Sequence, residues 1–176
     1  MVRVADALAD CGIAYLLVGS FSSNYYGVPR STKDADFVVQ LRDGVGGDFG
    51  ARLGRDFEID PQLSFETNTG TYRQLIKHRD TPFKVELFLL SLDPHDQMRF
   101  QRRVEIESFG RRLWLPTAED VIIMKVRWGR GRDKDDVRAV IGVQQGKLDW
   151  PYIENWCDRH GTRALLEEIR RTVPKL

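Results

Sequence analysis

A chain of 176 residues, 41% hydrophobic and 30% charged, can bury one core and a small helical annex. Its formal net charge of +1 supplies no global attraction to nucleic acid or membrane, and no apolar run approaches the ~18 residues of a membrane span. Cys11 and Cys157 make neither a CxxC nor a zinc pattern, and residues 1–10 lack the basic start and apolar core of a signal peptide, so a soluble cytoplasmic protein is expected.

Val4, Leu8 and Cys11 recur at helical spacing, and Gly12 closes that helix. Residues 13–18 form an apolar run too short for a helix and suited to a buried strand. Gly19-Ser20 breaks the run. Ser20 is expected to cap a helix over 21–26, which Gly27 ends and Pro29 cannot continue. Residues 34–41 read as a second strand, with Asp34, Asp36 and Val38 on one face and Ala35, Phe37 and Val39 on the other. In 44–54, Val45, Phe49 and Leu53 sit at helical spacing, but Gly44, Gly46, Gly47 and Gly50 weaken the helix they outline.

Residues 57–63 read as a weak strand, 71–77 as a better one and 83–90 as a strong one, with Asp80-Thr81-Pro82 turning the last two into a hairpin. One or two helical turns over 93–100 precede a second hairpin, 104–109 and 112–115 around Gly110. Beyond Pro116 the pattern is helical. Thr117 with Asp120 resembles a capping box opening a helix to Trp128. Gly129 and Gly131 bracket a basic loop, and further helices span 133–143, 150–160 and 162–172. The order predicts an α+β fold: a mixed β-sheet flanked by helices over 1–115, then a helical region over 116–176 packed on it.

Basic charge concentrates between Arg99 and Lys134, either as a solvated face or as a surface for the phosphates of a polymer substrate. The three histidines lack metal-ligand spacing, and the tryptophans read as core. Tyr25 and Tyr26, just after the Gly-Ser turn, are candidates for lining a base pocket.

Two carboxylates on one strand face, Asp34 and Asp36, repel unless a cation lies between them, and oxygen-only ligands suit Mg²⁺ or Mn²⁺. Gly19-Ser20, between a strand and a helix, offers backbone N–H groups and a dipole end to a phosphate, with Arg30 and Lys33 close by in sequence. Two metals held ~3.5–4 Å apart for in-line phosphoryl chemistry need a third carboxylate. Glu86 is the best candidate, since 83, 85 and 87 form an apolar face and Glu86 points the other way with Lys84; the alternative is a strand carboxylate paired to Lys84. Lys125 lies on the helix face of Val121 and Trp128, and Asp136 shares a face with Val140, so the two most simply pair between adjacent helices.

The order strand, Gly-Ser turn, helix, Asp-x-Asp and third carboxylate resembles the nucleotidyltransferase superfamily named for DNA polymerase β. More closely, Val18-Gly19-Ser20 followed by Tyr26-Gly27-Val28-Pro29-Arg30-Ser31-Thr32-Lys33-Asp34-Ala35-Asp36 is similar to the minimal and AbiEii-like nucleotidyltransferases. So are Thr117-Ala118-Glu119-Asp120-Val121-Ile122-Ile123-Met124-Lys125 and the later Arg130, Asp133, Asp135, Asp136 and Val137. Ser20 stands where many relatives have Gly, and Glu86 where an aspartate is usual. The resemblance implies a nucleotidyltransferase fold with its catalytic core in 1–115. It implies transfer of a nucleoside monophosphate from an NTP to a hydroxyl, with release of pyrophosphate. Asp34, Asp36 and Glu86 would hold Mg²⁺ or Mn²⁺. Gly19 and Ser20 would hold the β and γ phosphates, Arg30 and Lys125 would neutralise charge, and Asp136 would hold or tune Lys125. In toxin-type relatives the acceptor is tRNA, another RNA or a protein, and an antitoxin is the partner. The alternative is a catalytically weak member that binds a nucleotide or partner.

Overall fold

The computed structural model describes residues 1–67 and 69–173. Five strands, β1 (Tyr15–Val18), β2 (Asp34–Val39), β3 (Phe57–Glu66), β4 (Thr71–His78) and β5 (Lys84–Leu89), form one sheet in the order β1-β2-β5-β4-β3. The β2–β5 pair is parallel and the other three pairs are antiparallel. Alternation divides the sheet into two unlike faces. On one, Ala35, Phe37 and Val39 of β2 and Val85, Leu87 and Leu89 of β5 pack with Val4 and Leu8 of α1 (Val2–Asp10) and Phe49 and Leu53 of α3 (Gly47–Leu53). The other face is split. Leu16, Val18 and Val38 pack against Phe100 of α4 (Pro94–Gln101), while Asp34, Asp36 and Glu86 occupy the remainder. A separate hairpin, β6 (Val104–Ser108) and β7 (Arg111–Leu115), adds Leu113 and Leu115 to the first core.

Four helices, α5 (Ala118–Trp128), α6 (Gly131–Val143), α7 (Trp150–Arg159) and α8 (Arg163–Arg171), bury a second cluster that includes Ile122, Val126, Val137, Ile153 and Leu166. The expected cap on α5 is present: Thr117 Oγ1 accepts the Asp120 N–H at 3.3 Å. Thr117→Ala is expected to cost about 1 kcal/mol, read as a lower denaturant midpoint at unchanged m. Among the described residues, no helix is long and apolar enough to cross a membrane.

Several boundaries differ from the sequence expectation. α2 (Gly19–Tyr26) starts at Gly19, and its N-cap is Val18, so Ser20 is not the cap; its hydroxyl instead accepts from Arg30 Nη2 at 3.0 Å. α6 starts at Gly131, so Asp133 lies inside its first turn rather than opening it. β3 continues through Pro61 to Glu66, which an edge strand with a register shift between Ile59 and Leu63 can do. β2 ends at Val39, two residues short of the predicted strand end at 41.

Candidate active site

Strand register assembles the carboxylates. Val18 at the end of β1 pairs with Asp36, which pairs in turn with Glu86; Asp34 pairs with Lys84 in the neighbouring row. Register partners share a face, so Asp34, Asp36, Lys84 and Glu86 all project to the open side. Gly19 follows Val18 with φ +65°, and a Cβ there would overlap Asp36 Oδ2. The glycine therefore serves two needs: a left-handed backbone and room for the carboxylate. Gly19→Ala is expected to lower stability by about 1–3 kcal/mol through backbone strain and to displace Asp36. A thermal melt reads the first effect and turnover of NTP the second; wild-type values for both would show that Asp36 does not depend on this turn.

Asp36 carries the electrostatic tension of the site. Its pKa is raised to about 7, first by burial and then by the Asp34 and Glu86 carboxylates, with Lys125 and Lys84 opposing. Asp34 Oδ1 accepts from Thr32 Oγ1 at 2.6 Å. Glu86 Oε1 accepts from Arg73 Nη1 at 2.9 Å and from Lys84 Nζ at 3.2 Å. The Lys84 pairing weighed from the sequence is thus present, and Arg73 strengthens it. For a hard divalent cation, the oxygen donors of Asp34 and Asp36 fit, and the crowding that keeps a proton on Asp36 is the charge such an ion relieves. Glu86 pairs with Arg73 and Lys84 through Oε1. Among the described residues no group of three or more His, Cys, Asp or Glu side chains stands arranged around a metal position.

Across the cleft stands a buried ion network. Arg30 donates to Asp136 through Nε at 2.8 Å and Nη2 at 3.0 Å, and Lys125 Nζ lies 2.7 Å from Asp136 Oδ2 and 3.0 Å from Asp133 Oδ1. Arg130 Nε donates to Asp133 Oδ2 at 2.6 Å, and Ser23 Oγ to Asp136 Oδ2 at 3.1 Å. Burial alone would raise the Asp136 pKa, but the hydrogen bonds from Arg30 and Lys125 outweigh it and hold the carboxyl below its ordinary value. The expected Lys125–Asp136 pair is present, and through Arg30 and Ser23 it ties α5 and α6 to α2 and the turn before β2.

Gly19, Ser20, Arg30, Asp34, Asp36, Glu86 and Lys125 all line one cleft of about 1270 Å³, while Asp136 stands behind it, reached through Arg30 and Lys125. The basic segment divides. Arg99, Lys125, Arg127, Arg130 and Arg132 line the cleft, while Arg111 pairs with Asp6, Arg112 with Glu105 and Lys134 with Glu168. Arg73, Asp133 and Trp128 line the cleft but are not among the site residues expected from the sequence. Arg73 carries no local signal, since its role comes from strand pairing. Asp133 belongs to the motif that carries the family resemblance, but its role depends on α6 starting at Gly131, which turns it to Lys125 and Arg130. Trp128 lines the cleft under the Arg130 guanidinium, 5.2 Å from its ring centroid, where core burial was expected. Tyr25 and Tyr26 do not line the cleft; Tyr26 bonds Pro116 O at 2.9 Å and packs against the helical core. His95 is fully buried and bonds Asp120 at 3.1 Å.

No protein-family profile and no curated protein matches the chain. Solved structures do. The antibiotic-resistance factor ANT(2'')-Ia in solution aligns at a TM-score of 0.57 and 11% identity, over 97% of this chain and 94% of that one. The same factor in complex with adenylyl-2''-tobramycin aligns at 0.57 and 12% identity, over 93% and 95%. An antigenic nucleotidyltransferase-like protein from Paracoccidioides brasiliensis aligns at 0.53 and 17% identity, over 99% and 93%. The chain therefore has the nucleotidyltransferase fold.

Proposed function

We propose that the chain is a nucleotidyltransferase, dependent on Mg²⁺ or Mn²⁺, that transfers a nucleoside monophosphate from an NTP to an acceptor hydroxyl. The observation that carries this reading is the register that sets the Gly19 turn, Asp36 and Glu86 side by side across β1, β2 and β5, facing Arg30 and Lys125. The acceptor oxygen forms a bond to the α-phosphorus, the bond to the bridging oxygen of the β-phosphate breaks, and pyrophosphate leaves. When bound, a divalent ion would supply electrostatic stabilisation of the charge that develops on pyrophosphate. Gly19 and Ser20, at the N-terminus of α2, receive the β and γ phosphates. Lys125 and Arg30 offset the charge of the leaving group, with Asp136 and Asp133 fixing where those cations stand. Asp34 and Asp36 would hold the ion, and Glu86, released from Arg73 and Lys84, would take the proton of the acceptor hydroxyl. ANT(2'')-Ia with its adenylylated product on the same fold supports adenylyl transfer as the first chemistry to assay. The cations of the cleft favour RNA among the acceptors implied by the sequence resemblance; the likeness to solved structures extends to the fold and not to the AbiEii-like subgroup.

Glu86 paired to Arg73 and Lys84 favours a second reading, a nucleotide-binding protein with little turnover. Pyrophosphate release separates the two. With each NTP, Mg²⁺ or Mn²⁺ and a cell-extract acceptor pool, the transferase releases pyrophosphate and loses it on chelation. Tight, ion-dependent nucleotide binding without pyrophosphate from any NTP favours the second reading.

A further inference from the structure

We propose that the wall of the cleft beyond Glu86 is an acceptor subsite that binds a phosphate carried by the hydroxyl-bearing acceptor; this rests on the transferase reading and specifies its acceptor. Strand order fixes the sides. β1 and its Gly19 turn flank the β2 aspartates on one edge, and β5 followed by β4 flanks them on the other. In-line displacement puts the attacking and leaving oxygens on opposite sides of the phosphorus. With the NTP phosphates at the Gly19 turn, the acceptor enters from the β5–β4 side.

That side is built for an anion. Lys33, Arg73 and Lys84 all line the cleft on this side, Lys84 beside Asp34 in register and Lys33 just before β2. Two carboxylates of this wall are already engaged, Glu66 with Arg73 at 3.6 Å and Glu86 with Arg73 and Lys84. Among the described residues, Lys33 is not ion-paired. The Lys33 charge is therefore available to an incoming phosphate at this wall. Arg73 adds a planar donor suited to two phosphate oxygens at once. A phosphate that draws Arg73 and Lys84 to itself also frees Glu86 for the neighbouring hydroxyl. Two sources carry this chemistry, the end of an RNA strand and a small sugar phosphate.

Fluorescence anisotropy of a 5'-labelled short single-stranded oligoribonucleotide tests the subsite, on the whole chain with Mg²⁺ and a non-hydrolysable NTP. Wild type is expected to bind it. A Lys33→Gln/Lys84→Gln double variant is expected to bind about tenfold more weakly, with the salt slope reduced by about 0.7 per lost phosphate contact. Lys33→Gln alone breaks no ion pair, so it is expected to fold as stably as wild type and to show the same direction of loss. Displacement of the RNA by ribose 5-phosphate, but not by ribose, assigns the site to a small phosphate; resistance to displacement assigns it to the polymer. Wild type binding neither probe, or variants binding as tightly as wild type, overturns the subsite. NTP binding in the same samples separates the layers: if NTP binds and neither phosphate probe does, only the subsite fails, whereas no NTP binding removes the transferase reading as well.

Discussion

Asp36→Asn is expected to reduce NTP turnover by at least about 10³-fold, the loss of several kcal/mol of charge stabilisation, while leaving the melting temperature unchanged or higher. Both halves follow from one environment. Asp36 is walled by Gly19, adjoins Glu86 in register and holds its proton up to about pH 7, against 3.8 ordinarily, because burial and the Asp34 and Glu86 carboxylates oppose its ionisation. Between those two values the folded protein without divalent ion binds more protons at this group than the unfolded chain does. Its contribution therefore favours folding fully below the unfolded pKa and is withdrawn as pH rises through about 7. Asparagine has no charge to withdraw. With chelator present, the variant's melting temperature relative to wild type is expected to rise between about pH 5 and about pH 8. A strongly destabilised Asp36→Asn, or one that still turns over NTP, contradicts this placement.

The second large effect belongs to Asp136. Asp136→Ala is expected to cost about 3–5 kcal/mol in denaturant unfolding, the range for removing one partner of a buried pair. Asp136 is the shared acceptor of Arg30, Lys125 and Ser23, and Lys125 is only 5% exposed, so the ammonium is left with Asp133 alone. Lys125→Met removes the cation instead. Asp136 then keeps Arg30 and Asp133 keeps Arg130, so the stability loss is smaller, but NTP affinity falls because the cation facing the phosphates is gone. Lys125 in this account both holds the helical region to the strand core and meets the nucleotide. If Lys125→Met destabilises more than Asp136→Ala, or binds NTP as wild type does, that double role is wrong. The Asp136 carboxyl is held below its ordinary pKa, so its contribution is present above the unfolded value and fades as pH falls through the folded one.

Much of this site could be read from the chain because its parts are local in sequence. Asp34 and Asp36 share a face by the period of a strand, Gly19 is marked by the end of an apolar run, and Lys125 is turned inward by helical spacing. What escaped was set by pairing between distant strands or by exact helix starts. Arg73 reaches Glu86 because β4 lies beside β5, an adjacency that the predicted hairpin allows but that does not reveal the diagonal contact. Ser20 resembled a cap because it follows a glycine, yet Gly19 adopts φ +65° and begins α2 itself, which frees the Ser20 hydroxyl for Arg30. Asp133 resembled a helix start because Gly129 and Gly131 precede it, but Gly131 is already helical, and the side chain turns to Lys125 and Arg130. The ambiguity over Glu86 is physical rather than a misreading. The same carboxylate that pairs with Lys84 stands one strand from Asp36, and which partner it keeps depends on what else occupies the cleft.

The central claim is transfer of the α-phosphoryl group, and the fate of a labelled phosphate tests it most directly. With a cell-extract acceptor pool and Mg²⁺ or Mn²⁺, NTP labelled at the α-phosphate is expected to leave its label on an acceptor, whereas NTP labelled at the γ-phosphate leaves its label in pyrophosphate, and Asp36→Asn does neither. Label passing from the γ position to an acceptor, or no transfer from the α position with any NTP, would contradict the account.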